Sequence, residues 1–332
     1  HNAINYRPVS LTAICCKILE HILTSNIRKH LTINNILNDS QHGFRSKRSC
    51  ETQLIISIQD LAKSLGYGNQ IDVILLDFSK AFDKVPHKRL AQKLEFYGIR
   101  NQNLNWINDF LADRQQQVLL NGVKSSKLAV DSGVPQGTVL GPTLFLLFIN
   151  DLPEHVTCNA RLFADDCLLY RNVNNSSDAQ LLQKDLSSLV KWEEDWQMNF
   201  NPEKCYVIHI SKKSKPSTFD YILHNHILEA VKDSKYLGVT ISHDLDWGTH
   251  INNITCKANK TLGFLRRNLK NCTRKVKTLR THHLSVQSSN TLPLSGIRTK
   301  NNTSLRLSRY SVRQPGLSSM IIKTDHLEQF QI

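Results

Sequence analysis

This chain of 332 residues is short of acid, with 28 Asp and Glu against 42 Lys and Arg and a formal net charge of +14. An excess of base on that scale favours polyanionic partners, nucleic acid or an anionic membrane surface, over acidic-surface chemistry. The chain also lacks a long apolar run. LFLLFI at 144–149 is the most apolar segment, far below the roughly 20 residues of a membrane helix. No two of its eight cysteines are spaced CxxC, and their spacing is irregular, which argues against a zinc site and against a disulfide framework. Reduced thiols acting as small hydrophobes fit better. The chain opens His-Asn-Ala, without a charged segment leading into an apolar one, so it is read as a fragment and not as a secreted protein.

What is present alternates between helical and strand periods. Apolar residues from Leu11 to Leu31 recur at helical spacing, with Ser10 placed to cap. A polar loop, QHGFRSKRSC at 41–50, precedes a second helix near 51–65. VILLDFSKAF at 73–82 begins as a buried strand and brings Asp77 to its end, and residues 87–97 return to helical spacing. Residues 115–130 read as a hairpin turning at Asn121-Gly122. GVPQGTVLGP at 133–142 is a loop whose Pro142 suits the first turn of an apolar helix. Strands are expected at 161–170, 205–210, 221–230 and 236–241, with a helix over about 178–198 whose Trp192 and Trp196 belong to the core. The triplet His224–His226 sits in a strand-turn-strand pattern and lacks an acidic partner at ligand spacing, so it is no metal or nuclease motif. Helices interspersed with antiparallel hairpins predict an α+β fold.

Within LFADDCLLY, 162–170, two aspartates interrupt an apolar run. Burying an unpaired carboxylate costs several kcal/mol, so Asp165 and Asp166 either tip a solvated hairpin or bind a cation. Together with Asp77 they suit nucleotidyl transfer by two metal ions. That chemistry needs carboxylates on rigid strands to hold ions about 3.5–4 Å apart, one activating a 3′-hydroxyl and one neutralising pyrophosphate. Over 204–280 Lys and Arg outnumber Asp and Glu fifteen to five, the signature of a groove that follows a phosphate backbone.

The ordered segments NYRPVSL (5–11), QHGFRSKRS (41–49), LLDFSKAFDKVPH (75–87), GVPQGTVLGPTLFLLFINDLP (133–153), LFADD (162–166), NPEKC (201–205) and KYLGVTI (235–241) resemble those of reverse transcriptases. The wording is most similar to the jockey-like, LINE-type group of non-LTR retrotransposons. The resemblance implies a right-hand polymerase fold of fingers, palm and helical thumb, and RNA-directed DNA synthesis. It makes Asp77, Asp165 and Asp166 the ligands of two Mg²⁺ ions, or Mn²⁺, with the backbone carbonyl of Phe78 as a further contact. Phe163 replaces the tyrosine that most such enzymes carry before the aspartate pair. Phe82 takes the position of a steric gate against a ribose 2′-oxygen. Gln136 and Gly137 resemble the segment that touches nucleotide and template. Arg45 and Arg48 sit where basic finger residues clamp a triphosphate, and Lys204 where a lysine could protonate pyrophosphate.

The partners implied are an RNA template, a DNA primer and deoxynucleoside triphosphates, with no membrane and an intracellular setting, nuclear or in a cytoplasmic ribonucleoprotein. The same residues leave open a group II intron maturase-like or telomerase-like polymerase, and a catalytically silent RNA-binding remnant. The expected organisation is fingers and palm over 1–240 and the start of a thumb over 241–283. The resemblance stops near residue 283. Read one frame over, 284–299 and 313–322 admit strings similar to the family's, in the right order. A frameshift near 280–284 is therefore expected, leaving 284–332 as an out-of-frame, disordered tail.

Overall fold

The computed structural model describes residues 9–120, 122–273 and 276. The chain divides into two units, with the boundary between Leu237 and Gly238. The first unit runs α1 (Ile14–Ile33), α2 (Cys50–Gly66), β1 (Ile71–Asp77), α3 (His87–Phe96), α4 (Asn101–Leu111), β2 (Gln115–Gln116), β3 (Leu119–Leu120), β4 (Val123–Lys124), β5 (Leu128–Ala129) and α5 (Gly141–Phe148). It continues through β6 (Asn159–Phe163), β7 (Asp166–Asn172), α6 (Ser176–Trp196), β8 (Tyr206–Ile210), β9 (Ile222–Leu223), β10 (His226–Ile227), β11 (Glu229–Ala230) and β12 (Asp233–Tyr236). The second unit holds β13 (Val239–Ser242) and α7 (Gly248–Asn268). The α+β class read from the sequence is the class observed, and among the described residues no helix is long and apolar enough to cross a membrane.

A five-stranded sheet in the order β11-β8-β1-β7-β6 organises the first unit. All neighbours are antiparallel except β11 and β8. Strand alternation divides its side chains between two faces. Ile74, Leu76, Leu162, Cys167, Leu169 and Val207 enter one core with Leu144, Phe145 and Phe148 of α5 and Leu182, Leu186 and Leu189 of α6. On the other face Val73, Leu168, Ile208 and Ile210 are buried, and α2, with buried Leu54, Leu61 and Leu65, packs against β1 and β6. Burial on both faces explains why β1 and β7 read as nearly unbroken apolar runs.

The expected helices are present, but the strand expected at 236–241 is interrupted at Leu237 and Gly238, whose φ of +47° and +87° end β12 before β13 begins, and the start of the chain differs in two ways. Helix α1 begins at Ile14 rather than near Ser10, and its N-cap is Ala13, without a side-chain cap. Ser10 is instead extended, its amide donating to the Gln136 carbonyl at 2.8 Å. The residues of α1 that face inward are Glu20, Thr24, Ile27 and Leu31, while Ile14, Ile18 and Ile22 are exposed. Glu20 is drawn inside because its Oε2 accepts from the Val139 and Leu140 amides at 2.7 and 3.0 Å, capping the start of α5. Helix α4 was not anticipated, although Leu104, Ile107 and Leu111 carry a helical spacing.

The hairpin over 115–130 forms as two short ladders, β2 with β5 and β3 with β4. Gly122 has φ +83°, and Asn121, the other turn residue, lies outside the described residues. His224 and Asn225, at φ +51° and +60°, make the tight turn between β9 and β10, so the His-Asn-His triplet is a hairpin. Trp192 is buried, and with Trp196 and Phe148 it surrounds the Lys93 ammonium, which sits 3.7 Å from the Trp196 ring and 2.5 Å from Asp151 Oδ1. Burial holds the Lys93 pKa down at about 8 against the pull of Asp151. Neighbouring Asn150 bonds the Ile36 carbonyl and the Asn38 amide, fixing the start of the 38–49 loop to the end of α5. The expected tail, 284–332, lies outside the described residues.

Candidate active site

Antiparallel register brings two of the three aspartates together. Asp77, the last residue of β1, is paired with Asp166, the first of β7, and Asp166 is also paired with Phe163 at the end of β6. The turn between β6 and β7 is Ala164-Asp165, so Asp165 is carried at its tip, next to Asp166. Asp77 and Asp165 are half-buried and Asp166 is exposed. Ala164 has φ +54°, a left-handed conformation that costs an L-residue about 1–2 kcal/mol.

Residues 41–43 lie against this turn. Gln41 is bridged to Leu162, the His42 amide donates to the Leu162 carbonyl at 2.8 Å, and the Leu162 amide donates to the Ser40 carbonyl at 2.9 Å. The buried Gln41 side chain accepts from the amides of Gly43 and Ala164 at 2.7 and 2.9 Å and donates to the Ala164 carbonyl at 3.3 Å. A Cβ on Gly43 would stand 2.2 Å from the Ala164 nitrogen.

On the other side of β1 the segment 199–205 fixes Asp77. The Asn201 amide donates to the Asp77 carbonyl at 2.7 Å and the Ser79 amide to the Asn199 carbonyl at 2.8 Å, around a bridge between Phe78 and Phe200. The alternation of an antiparallel pair then turns the Phe78 carbonyl away from Phe200, toward the β7 side. The Phe78 ring is buried, stacked on Phe200 at 4.3 Å. Cys205 accepts the Asp77 amide at 3.5 Å and donates to the Asn201 carbonyl at 3.1 Å. Burial pushes its thiol up to about 11, which keeps it protonated at neutral pH. Lys204 Nζ lies 3.6 Å from Asp77 Oδ2 and stays mostly exposed.

Phe82 is half-buried and sandwiched. Its ring stacks on Phe145 at 4.5 Å, and Phe44 meets it edge-on at 6.2 Å. Its carbonyl accepts the Val134 amide at 2.7 Å, and Gly133, at φ +88°, donates to the Val85 carbonyl at 2.8 Å. Gln136 donates to Asp83 Oδ1 at 3.0 Å. Gly137 is exposed at φ +87°, and a Cβ there would come within 3.3 Å of Ser10 and Val9.

Arg45 and Arg48 turn inward on their own loop. Arg48 Nη2 is 2.7 Å from Asp39 Oδ1, and Arg45 Nη1 donates to the Asn38 carbonyl at 2.7 Å and lies 3.6 Å from the same carboxylate. His42 Nε2 receives Arg48 Nη1 at 2.6 Å and Nδ1 faces Thr52 Oγ1 at 2.9 Å, an arrangement that requires the neutral Nδ1–H tautomer. Burial first, then the charges of Arg48, Arg161 and Arg45, lower the His42 pKa to about 4.

Of the residues singled out in the sequence, Asp77, Asp165, Asp166, Phe78 and Lys204 thus meet at one end of the sheet, while Arg45 and Arg48 are engaged with Asp39. Gln41, Gly43, Cys205 and Glu20 were missed. A glutamine and a glycine inside a polar loop carry no periodicity, and only their quoted motif could have flagged them. Among the described residues no group of three or more His, Cys, Asp and Glu is gathered as a metal cluster. The donors at this sheet end are nonetheless hard carboxylate oxygens on strand ends, and Mg²⁺ binds through only one or two carboxylates plus water and phosphate oxygens. The residues present fit such an ion.

The family model for "Reverse transcriptase (RNA-dependent DNA polymerase)" matches residues 1–241. A probable RNA-directed DNA polymerase from transposon BS of Drosophila melanogaster is 29% identical over 281 residues, covering 79% of this chain and 30% of that protein. The RNA-directed DNA polymerase from the mobile element jockey of the same species is 28% identical over 259 residues, covering 75% and 28%. The chain therefore spans about a third of the length of these relatives. A solved telomerase from Candida tropicalis, in complex with a fragment of telomeric RNA, is 12% identical with a TM-score of 0.49, covering 82% of this chain and 46% of that one. By the match over 1–241, the chain belongs to the reverse transcriptase family.

Proposed function

We propose that this chain carries the polymerase activity of a non-LTR retrotransposon of the jockey-like group, extending a DNA 3′-hydroxyl on an RNA template. The observation that carries the reading is the pairing of Asp77 with Asp166 at the open end of the five-stranded sheet, with Asp165 on the adjoining turn. Reverse transcriptases generally use divalent metal ions. Asp77, Asp165 and Asp166 would hold two Mg²⁺ ions, or Mn²⁺, with the Phe78 carbonyl as a further oxygen. When bound, such ions lower the pKa of the attacking hydroxyl and neutralise charge on the leaving pyrophosphate.

The chain's own residues do the rest. Lys204, exposed beside Asp77, is positioned to deliver a proton to the leaving pyrophosphate. The Phe82 ring, held from behind by Phe145, forms a wall that a ribose 2′-hydroxyl would strike. Gln136, whose side-chain amide also holds Asp83, and the exposed Gly137 would contact nucleotide and template. Arg45 and Arg48 offer guanidinium forks to the triphosphate, which competes for them with Asp39. Template and primer, RNA and DNA, would be gripped through their phosphates by the basic stretch 204–280, where α7 exposes Lys257, Lys260, Arg266 and Arg267.

Primer extension on an RNA template with Mg²⁺, run beside a gel shift on the same duplex, tests this. Asp77→Asn or Asp165→Asn should lower extension by more than about 1,000-fold while duplex binding stays within about threefold, because a lost ligand removes transition-state stabilisation and leaves the phosphate contacts intact. Binding without extension by the wild-type chain would instead support an RNA-binding remnant, and retained turnover in either variant would sink the assignment.

A further inference from the structure

The geometry points to Gln41 as the positioning residue of the metal-binding turn, an inference that rests on the polymerase reading above. The β6–β7 turn has an alanine where the backbone is left-handed, at Ala164 with φ +54°, although such hairpin positions are normally glycine. The two-residue loop closed by the Phe163–Asp166 pair calls for a left-handed first residue, which glycine adopts freely and alanine only at a cost. The conformation is held from outside. Gln41 Oε1 takes the Ala164 amide at 2.9 Å, Gln41 Nε2 gives to the Ala164 carbonyl at 3.3 Å, and both peptide groups of the strained residue are thereby fixed by one side chain.

That side chain is itself buried and held by three hydrogen bonds. It is 1% exposed, so water does not compete for its bonds, and its Oε1 also accepts the Gly43 amide at 2.7 Å. The Gln41 backbone runs beside Leu162 as a short parallel bridge, which ties the loop to β6 just before the turn. The closeness leaves no room for a side chain at Gly43, whose Cβ would lie 2.2 Å from the Ala164 nitrogen. Loop and turn therefore behave as one body. The direction in which the chain leaves Ala164 sets where the Asp165 carboxylate stands beside Asp166, which the ladders to Asp77 and Phe163 hold, so Gln41 governs the spacing of the two ligands without touching substrate.

A residue acting in this way should affect turnover more than nucleotide binding. In the full chain, Gln41→Ala should lower kcat about 100-fold, with KM for deoxynucleotide changed less than about threefold and half-saturation by Mg²⁺ moved to higher concentration. Ala164→Gly in the Gln41→Ala background should restore at least about tenfold of kcat, since glycine adopts the left-handed conformation without help. Wild-type kcat in Gln41→Ala overturns the inference, as does failure of the second change to rescue a variant that melts like wild type. If Gln41→Ala does not fold, hydrogen exchange of the wild-type chain decides. Amides over 162–166 should exchange at least about 100-fold more slowly than those of the exposed 124–128 segment, and equal rates overturn it. A wild type that binds duplex without extending it refutes the polymerase reading alone, and the exchange rates then judge the Gln41 clamp by themselves.

Discussion

Asp77 stands directly opposite Asp166 in the β1–β7 ladder, one rung beyond the buried pair of Leu76 and Cys167. Like charges facing each other across a sheet are destabilising, and Lys204 Nζ, 3.6 Å from Asp77 Oδ2, offsets some of this. Thermal denaturation should therefore show that saturating Mg²⁺ raises the melting temperature of the wild type and has a smaller effect on Asp77→Asn. In EDTA, Asp166→Asn should melt at or slightly above the wild-type temperature. An unmoved wild-type midpoint in Mg²⁺ would remove the carboxylates from metal binding.

Stacking on Phe145 fixes the Phe82 ring, so shortening it opens space in place rather than letting the neighbourhood collapse. Phe82→Val is expected to raise incorporation of ribonucleotides relative to matched deoxyribonucleotides by about tenfold or more, a difference of about 1.4 kcal/mol. Competitive incorporation of the two nucleotide types on one template measures this. An unchanged ratio would make Phe82 a packing residue alone.

Gly133 is constrained twice, by φ +88° and by the Asp83 backbone, which a Cβ would approach to 2.6 Å. Gly133→Ala should cost about 2 kcal/mol or more. The damage should extend to the nucleotide wall, since the next residue, Val134, donates to the Phe82 carbonyl. Chemical denaturation gives the first quantity and ribonucleotide discrimination the second.

The loop bearing Arg45 and Arg48 should weaken in acid. His42 has its pKa lowered to about 4 from an ordinary 6.5, so between these values the unfolded chain binds more protons than the folded one. Stability from this group is complete above about pH 6.5 and is lost as pH falls toward 4, to a total of about 3 kcal/mol. Melting curves of wild type and His42→Gln between pH 7 and 4.5 should converge as the pH drops. A constant gap would mean that His42 does not titrate there.

Much of the site was legible in the residues themselves. An apolar run ending in Asp77, and a second apolar run broken by Asp165 and Asp166, announce buried strands with charge at one end, because burial on both faces admits a carboxylate within the strand only where partners meet it, as His209 and Tyr221 meet the buried Asp72. The His-Asn-His turn and the tryptophan pair of α6 were readable for the same reason, since each belongs to a local period. Pairing decided what local pattern could not. The seven-residue register of β1 on β7 sets Asp77 against Asp166, and a slip of one residue would have turned one of them to the opposite face. Ser10 satisfies the general preference for a cap, yet its amide is taken by Gln136, 126 positions away in the chain, and Glu20 is buried because the amides at the start of α5 need an acceptor. Gln41, Cys205 and the Arg48–Asp39 pair likewise owe their roles to partners, some of them remote in sequence, whose approach depends on backbone and hydrogen-bond geometry. Periodicity specifies which face a residue occupies, and only the packed chain specifies what it meets there.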